Sequence, residues 1–147
     1  MKLDTLILNN ESVTVFNSQS LAQTPPYKLA FRCFNELLED DMAIPAMPFR
    51  NTSSVLWIEN FEKKVMGGIV YEIIADRQEG WILLSFTDPE FRNKGVNTAC
   101  HKVLYKILRD KGMLSVGSTV SVKNASRIAS AKKVGLEPLY YRMFKKL

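Results

Sequence analysis

The sequence predicts an α+β fold, a single mixed, mostly antiparallel sheet flanked by helices. Three observations carry this. Short runs of strand-forming residues are joined by brief turns through the middle of the chain. Apolar residues recur at helical spacing in three separate stretches. Strands and helices do not alternate regularly, as an open parallel sheet would require.

The elements follow in order. Leu6-Ile7-Leu8 reads as a short strand, Asn9-Asn10-Glu11-Ser12 as a turn, and Val13-Thr14-Val15-Phe16 as a second strand. Pro25-Pro26 opens a helix, because proline suits the first helical turn. Tyr27, Ala30, Phe31, Phe34, Leu37 and Leu38 keep helical spacing to about Asp40. Met42 to Ser54 contains Pro45 and Pro48 and reads as a loop or broken helix. Val55–Phe61, Val65–Ala75 and Trp81–Thr87 are three strands, with turns at Glu62-Lys63-Lys64 and Asp76–Gly80. Connections this short make antiparallel neighbours. Gly95 opens a second helix with Val96, Ala99, Cys100, Val103, Leu104 and Ile107 on one side, ending near Lys111-Gly112. Leu114–Val122 is a strand. Asn124 caps a third helix, Ala125–Val134, which stops at Gly135. Leu139–Phe144 is a final strand, giving the order β-β-α-β-β-β-α-β-α-β.

Composition narrows the classes. At 147 residues the chain fits one domain, 1–147. Its net charge of +5 comes from basic residues spread along the chain, and no nucleic-acid motif accompanies them. Two Cys and one His fall one ligand short of a structural zinc site, and they do not make a disulfide framework. No apolar run approaches the ~18 residues of a membrane span. The first residues lack the features of a signal peptide. The expectation is a soluble, cytoplasmic protein.

The chemistry concentrates in Trp81 to Ala99, WILLSFTDPEFRNKGVNTA. A strand runs into a polar loop, and the loop opens a helix. The first helical turn leaves backbone N–H groups unpaired, and these, with the positive end of the helix dipole, attract anions. Gly95 allows close approach to the backbone, and Arg92 and Lys94 add positive charge. A phosphate or diphosphate suits such a place.

Asp88-Pro89-Glu90-Phe91-Arg92-Asn93-Lys94-Gly95-Val96 resembles the acyl-CoA-binding signature of the GNAT superfamily of N-acetyltransferases. The signature reads Arg/Gln-x-x-Gly-x-Gly/Ala; here Asn97 replaces its last small residue. Asn124 followed by Gly135-Leu136 resembles a second family feature, with Leu in place of Phe. The resemblance covers about two thirds of the chain, from Val55 onward, and implies an acyl-CoA N-acyltransferase-like fold.

The resemblance also implies roles. Backbone groups of Ser85, Phe86 and Thr87 would pair with the pantetheine arm of acetyl-CoA, the cosubstrate. Amides from Asn93 to Thr98 (Asn93, Lys94, Gly95, Val96, Asn97, Thr98) would hold its diphosphate, with Arg92 alongside. Asn124 would contact the arm. The thioester would lie where strands 81–87 and 114–122 splay apart, and an amine would attack it directly. Homodimers are common among such relatives.

The departures concern catalysis. Ala131 stands where many relatives carry a Tyr acid, and Thr119 where some carry a Glu base. Tyr140 or Tyr141 could supply a phenol, and Glu72 a base. An absent general acid removes a typical ~10²–10⁴-fold, whereas positioning alone can supply ~7–11 kcal/mol. An N-acetyltransferase acting on a primary amine is therefore the leading expectation. A CoA-binding, catalytically weak or inactive GNAT-like sensor is the alternative, and a basic interaction module is third.

Other residues have plainer readings. His101 is expected at a partly exposed surface. Cys33 and Cys100 belong on apolar helix faces. The acidic run Glu36–Asp41 is either solvated charge or an attractant for an amine.

Overall fold

The computed structural model describes residues 1–43, 49–139, 143 and 145. Among these, one six-stranded sheet carries three α-helices. Strands β1 (Lys2–Leu8), β2 (Glu11–Ser18), β3 (Ser54–Glu59), β4 (Val65–Ile74), β5 (Glu79–Thr87) and β6 (Ser115–Ser118) lie side by side in chain order. Pairing is antiparallel from β1 to β5 and parallel between β5 and β6. The parallel step needs a crossover, and α2 (Val96–Asp110) supplies it. Helix α1 (Tyr27–Glu39) links β2 to β3, and α3 (Ala125–Lys133) follows β6.

The sheet separates two cores. On one face Val96, Cys100, Leu104 and Leu108 of α2 pack against Val13, Val15, Leu56, Ile58, Ile69, Tyr71 and Ile82. On the other, Ala30, Cys33 and Phe34 of α1 pack against Val55, Trp57, Val70, Leu84 and Phe86. Strand alternation explains the division, since successive side chains point to opposite faces. Leu104 is fully buried at the centre of the α2 face. Leu104→Ala is expected to destabilise the fold by roughly 3–5 kcal/mol through lost burial and a residual cavity. Urea unfolding should show a lower midpoint at an unchanged slope.

Helix boundaries match the sequence reading to within a residue or two. Gly112 and Gly135 both adopt positive φ immediately beyond α2 and α3. The turn between β1 and β2 is a two-residue hairpin at Asn9-Asn10, both with positive φ (51° and 65°).

Two strand expectations need correction. The run Leu114–Val122 forms a strand only over Ser115–Ser118, and Leu114 and Val122 are exposed. The cause lies in its partner. Ile82 pairs with Tyr71 and Leu84 with Val70, so Leu83 is an extra residue in β5. A bulge bends its strand and breaks the ladder. Pairing of β6 with β5 ends at Ser118 and Ile82, immediately before the bulge. As for the final strand Leu139–Phe144, Leu139 and Met143 lie outside any strand, and the remaining residues fall outside those described.

Candidate functional site

The bulge opens one edge of β5. Leu84 to Thr87 remain paired to β4 but have no β6 beside them. Ser85 and Thr87 are half-buried and Phe86 is buried. The Ser85 hydroxyl is buried with no partner among the described residues. Gly67, opposite Thr87, allows this end of β5 to close on α2. A Cβ there would lie 2.6 Å from the Phe86 carbonyl and 3.0 Å from Val96 Cγ1.

Beyond Thr87 the chain turns sharply. The Asp88 N–H donates to the Met66 carbonyl at 2.9 Å, and its carboxylate caps the short turn Pro89–Phe91 by accepting from the Glu90 N–H at 3.0 Å. Asn93 (φ 61°) and Gly95 (φ 80°) then take left-handed conformations on either side of Lys94. Gly95 is the N-cap of α2 and provides no side-chain cap. Between Asn93 and Thr98, no backbone N–H finds an acceptor among the described residues; the first bond of the helix is from the Ala99 N–H to the Gly95 carbonyl, 3.0 Å. Val96 is buried, which fixes the start of the helix, whereas Asn93, Lys94 and Gly95 are exposed. A row of free donors thus meets the positive end of a fifteen-residue helix.

Arg92 points elsewhere. Its Nη2 lies 3.2 Å from a Glu36 carboxylate oxygen, and its Nε donates to the Thr87 carbonyl at 3.3 Å. Arg32 pairs with Asp88 at 3.4 Å and stands 3.9 Å from Glu36. This network joins α1 to the loop after β5. Arg32 and Arg92 are exposed and Glu36 and Asp88 half-buried, so each pair contributes on the order of 1 kcal/mol, and the network mainly sets orientation. Lys94 extends over the Phe91 ring, 5.7 Å from its centroid.

Asn124 caps α3 as expected, its Oδ1 accepting from the Arg127 N–H at 3.0 Å. That bond leaves its side-chain N–H groups without a partner among the described residues. Lys123 pairs with Asp41, which joins the acidic end of α1 to the start of α3. Beside α1, the aromatic Tyr27 and Phe31, the basic Lys28 and Arg32, and Asn35, Glu36 and Glu39 line an open groove of about 590 Å³.

The structure does not bring Glu72 to this place. Glu72 is on β4 opposite Trp81. That is four residues along β5 from Ser85, or about 13 Å at the usual strand rise. It accepts a hydrogen bond from the Ser53 hydroxyl at 3.3 Å and lines a separate cavity of about 380 Å³ with Asn17, Tyr71 and Lys111. Tyr140 and Tyr141 lie outside the described residues. Ala131 is buried and offers no proton.

His101 corrects its expectation, because it is fully buried. Its Nδ1 donates to the Asn97 carbonyl at 2.8 Å, and its Nε2 has no partner among the described residues. Burial pushes its pKa down to about 4, the Asn97 carbonyl opposing and the Arg127 guanidinium adding to the fall. Cys100 is buried as expected, and burial pushes its thiol up to about 12. Burial also raises Cys33. Neither thiol is prepared to act as a nucleophile.

The sequence reading did not anticipate Asn9. Its side-chain amide donates to the Lys94 carbonyl at 2.7 Å, across 85 residues.

An open strand edge running into an amide-lined helix mouth, on a sheet of this order, defines an acyl-transfer fold, and the comparisons agree. The acetyltransferase (GNAT) family model matches residues 19–136. The chain belongs to that family. No curated protein matches the sequence. Among solved structures, an aminoglycoside acetyltransferase from an uncultured soil metagenomic sample, in complex with sisomicin, superposes with a TM-score of 0.69 at 14% identity, over 92% of this chain and 96% of that one. The PaiA N-acetyltransferase of Thermoplasma acidophilum, in complex with coenzyme A, gives 0.53 at 23% identity over 56% and 50%. N-acetylglutamate synthase of Neisseria gonorrhoeae, complexed with coenzyme A and N-acetyl-glutamate, gives 0.59 at 13% identity over 78% and 27%.

Proposed function

We propose that the protein is an acetyl-CoA-dependent N-acetyltransferase that transfers an acetyl group to a primary amine. One observation carries the reading most of the way: the free amides from Asn93 to Thr98 open directly off a strand edge that has lost its neighbour. The amides suit a diphosphate and the edge of Ser85–Thr87 suits the two amides of a pantetheine arm. Free N–H groups of Asn124 face no described competitor and would serve the same arm. Complexes of other family members with coenzyme A support the choice of donor.

The proposed chemistry needs little from side chains. The amine nitrogen attacks the thioester carbonyl, a C–N bond forms and the C–S bond breaks. Oxygen gains negative charge on the way, and a backbone N–H at the Leu83 bulge, freed from β6, would stabilise it. The attacking nitrogen loses a proton to solvent or a base, and the leaving thiolate takes one up. Glu72, opposite Trp81 on the neighbouring strand, remains a candidate base, directly or through water, and Tyr140 and Tyr141 remain candidates for the acid. The groove beside α1, where Glu39 stands with Glu36, Lys28 and Arg32, is a place an acceptor could occupy, and an aminoglycoside acetyltransferase of the same fold has been solved in complex with sisomicin.

Acetyl-CoA is expected to raise the melting temperature, with a stabilisation of about 2.7 kcal/mol at one hundred times Kd. A panel of primary amines should release free thiol well above the buffer rate. No thermal shift with either CoA or acetyl-CoA would overturn the reading. Binding without amine-dependent thiol release would favour the second reading, a CoA-binding relative with weak or no turnover, which the buried Ala131 at the usual acid position supports.

A further inference from the structure

We infer that Asn9 is a positioning residue for the diphosphate cradle; the inference rests on reading the Asn93–Thr98 amides as that cradle. Asn9 occupies the tip of the β1–β2 hairpin, whose two-residue turn needs left-handed backbone at both positions. Asn9 and Asn10 meet that need at φ 51° and 65°, and Leu8 and Glu11 pair immediately beneath them. The tip is therefore a defined support rather than a trailing loop. Its Asn9 amide donates to the Lys94 carbonyl at 2.7 Å. Leu8 Cδ1 lies 3.5 Å from where a Cβ on Gly95 would stand, so the hairpin abuts the Lys94–Gly95 peptide from one side.

Peptide geometry makes that contact consequential. A trans peptide is planar, with its C=O and N–H pointing in opposite directions. Holding the Lys94 carbonyl against the hairpin directs the Gly95 N–H away from it, toward the open side of the loop. The same peptide is the one most prone to rotate. Glycine tolerates either sign of φ, so nothing in Gly95 itself opposes a flip. A flipped peptide would present the Lys94 carbonyl to the ligand in place of an N–H, a repulsive contact for any anion. The Asn9 bond opposes the flip. The amino-terminal hairpin, which carries none of the family motifs, thereby sets the direction of a donor in the cradle.

The test uses Asn9→Gly, which keeps the left-handed turn and removes the donor, and Asn9→Asp, which keeps the side-chain shape and puts an acceptor against the carbonyl. Dissociation constants are measured by ¹⁵N NMR titration for CoA and for pantetheine, which lacks the diphosphate. The parent should bind CoA more tightly than pantetheine. Asn9→Gly should bind CoA about tenfold more weakly, Asn9→Asp more weakly still, and pantetheine affinity should be unchanged in both. Parental CoA affinity in both variants overturns the inference and leaves the cradle standing. Equal losses for CoA and pantetheine also overturn it, because they mark a general disturbance of the fold. A parent that binds CoA no better than pantetheine removes the cradle and the inference with it. If one variant does not fold, the other decides on the same criteria.

Discussion

Gly95→Asp is expected to leave the domain folded and to weaken acetyl-CoA binding by at least about 100-fold, equivalent to about 2.7 kcal/mol. Room for the side chain exists, since a Cβ at Gly95 meets only Leu8 Cδ1, at an ordinary 3.5 Å. Aspartate visits left-handed backbone more readily than most residues and is favoured at N-caps. The strain at φ 80° should therefore cost no more than roughly 1–3 kcal/mol. Binding suffers far more. The new carboxylate stands at the helix mouth where the diphosphate is proposed to sit. At about 5 Å and an effective dielectric of 20, each pair of like charges repels by roughly 3 kcal/mol. The carboxylate also competes for the free amides as an acceptor. Calorimetric titration with acetyl-CoA, beside urea unfolding, checks both halves. Parental affinity in a folded variant would place the diphosphate elsewhere.

Acid sensitivity should trace largely to His101. Its folded pKa, about 4, lies below the 6.5 of an unfolded imidazole. Above pH 6.5 both states are neutral and the residue has no pH-dependent effect. Between 6.5 and 4 the unfolded chain binds a proton that the folded one does not, so stability falls as pH falls. Near pH 4 the accumulated loss reaches about 3 kcal/mol, at 1.36 kcal/mol per pKa unit. His101→Leu should lose only about 1 kcal/mol at pH 7, where one hydrogen bond to the Asn97 carbonyl disappears. Between pH 7 and 4.5 its decline in stability should be shallower than the parent's by roughly 2–3 kcal/mol. Denaturant unfolding at both pH values measures this. An equal decline in the two proteins would assign the acid response to other groups.

His101 also shows what was readable in the sequence. The periodicity that placed α2 also places residue 101 three before Leu104 and seven before Leu108, on the buried stripe. The signal was present, but the polar identity of the residue outweighed its position. Helix ends were legible because they depend on local chemistry: Asn124 caps and Gly112 and Gly135 stop. The donor loop was legible for the same reason. Strand length was not. Thr119, Val120 and Val122 are good strand formers, and only the bulge at Leu83 in the neighbouring strand leaves them unpaired. Arg92 was readable as a cation near the loop, while its orientation toward Glu36 depends on α1 packing beside β5. The Asn9–Lys94 contact has no local signature, since it joins a hairpin tip and a loop brought together only by the finished sheet.

The bulge at Leu83 has a bearing on how such a site persists as sequences diverge. An extended molecule laid along the bare edge of β5 meets peptide groups, and every sequence supplies those. The side chains of Leu84 and Phe86 answer mainly to the interior they fill, so they can be exchanged for others of similar bulk while the edge offers the same donors and acceptors. Selection on that stretch would then act on size and backbone course more than on identity.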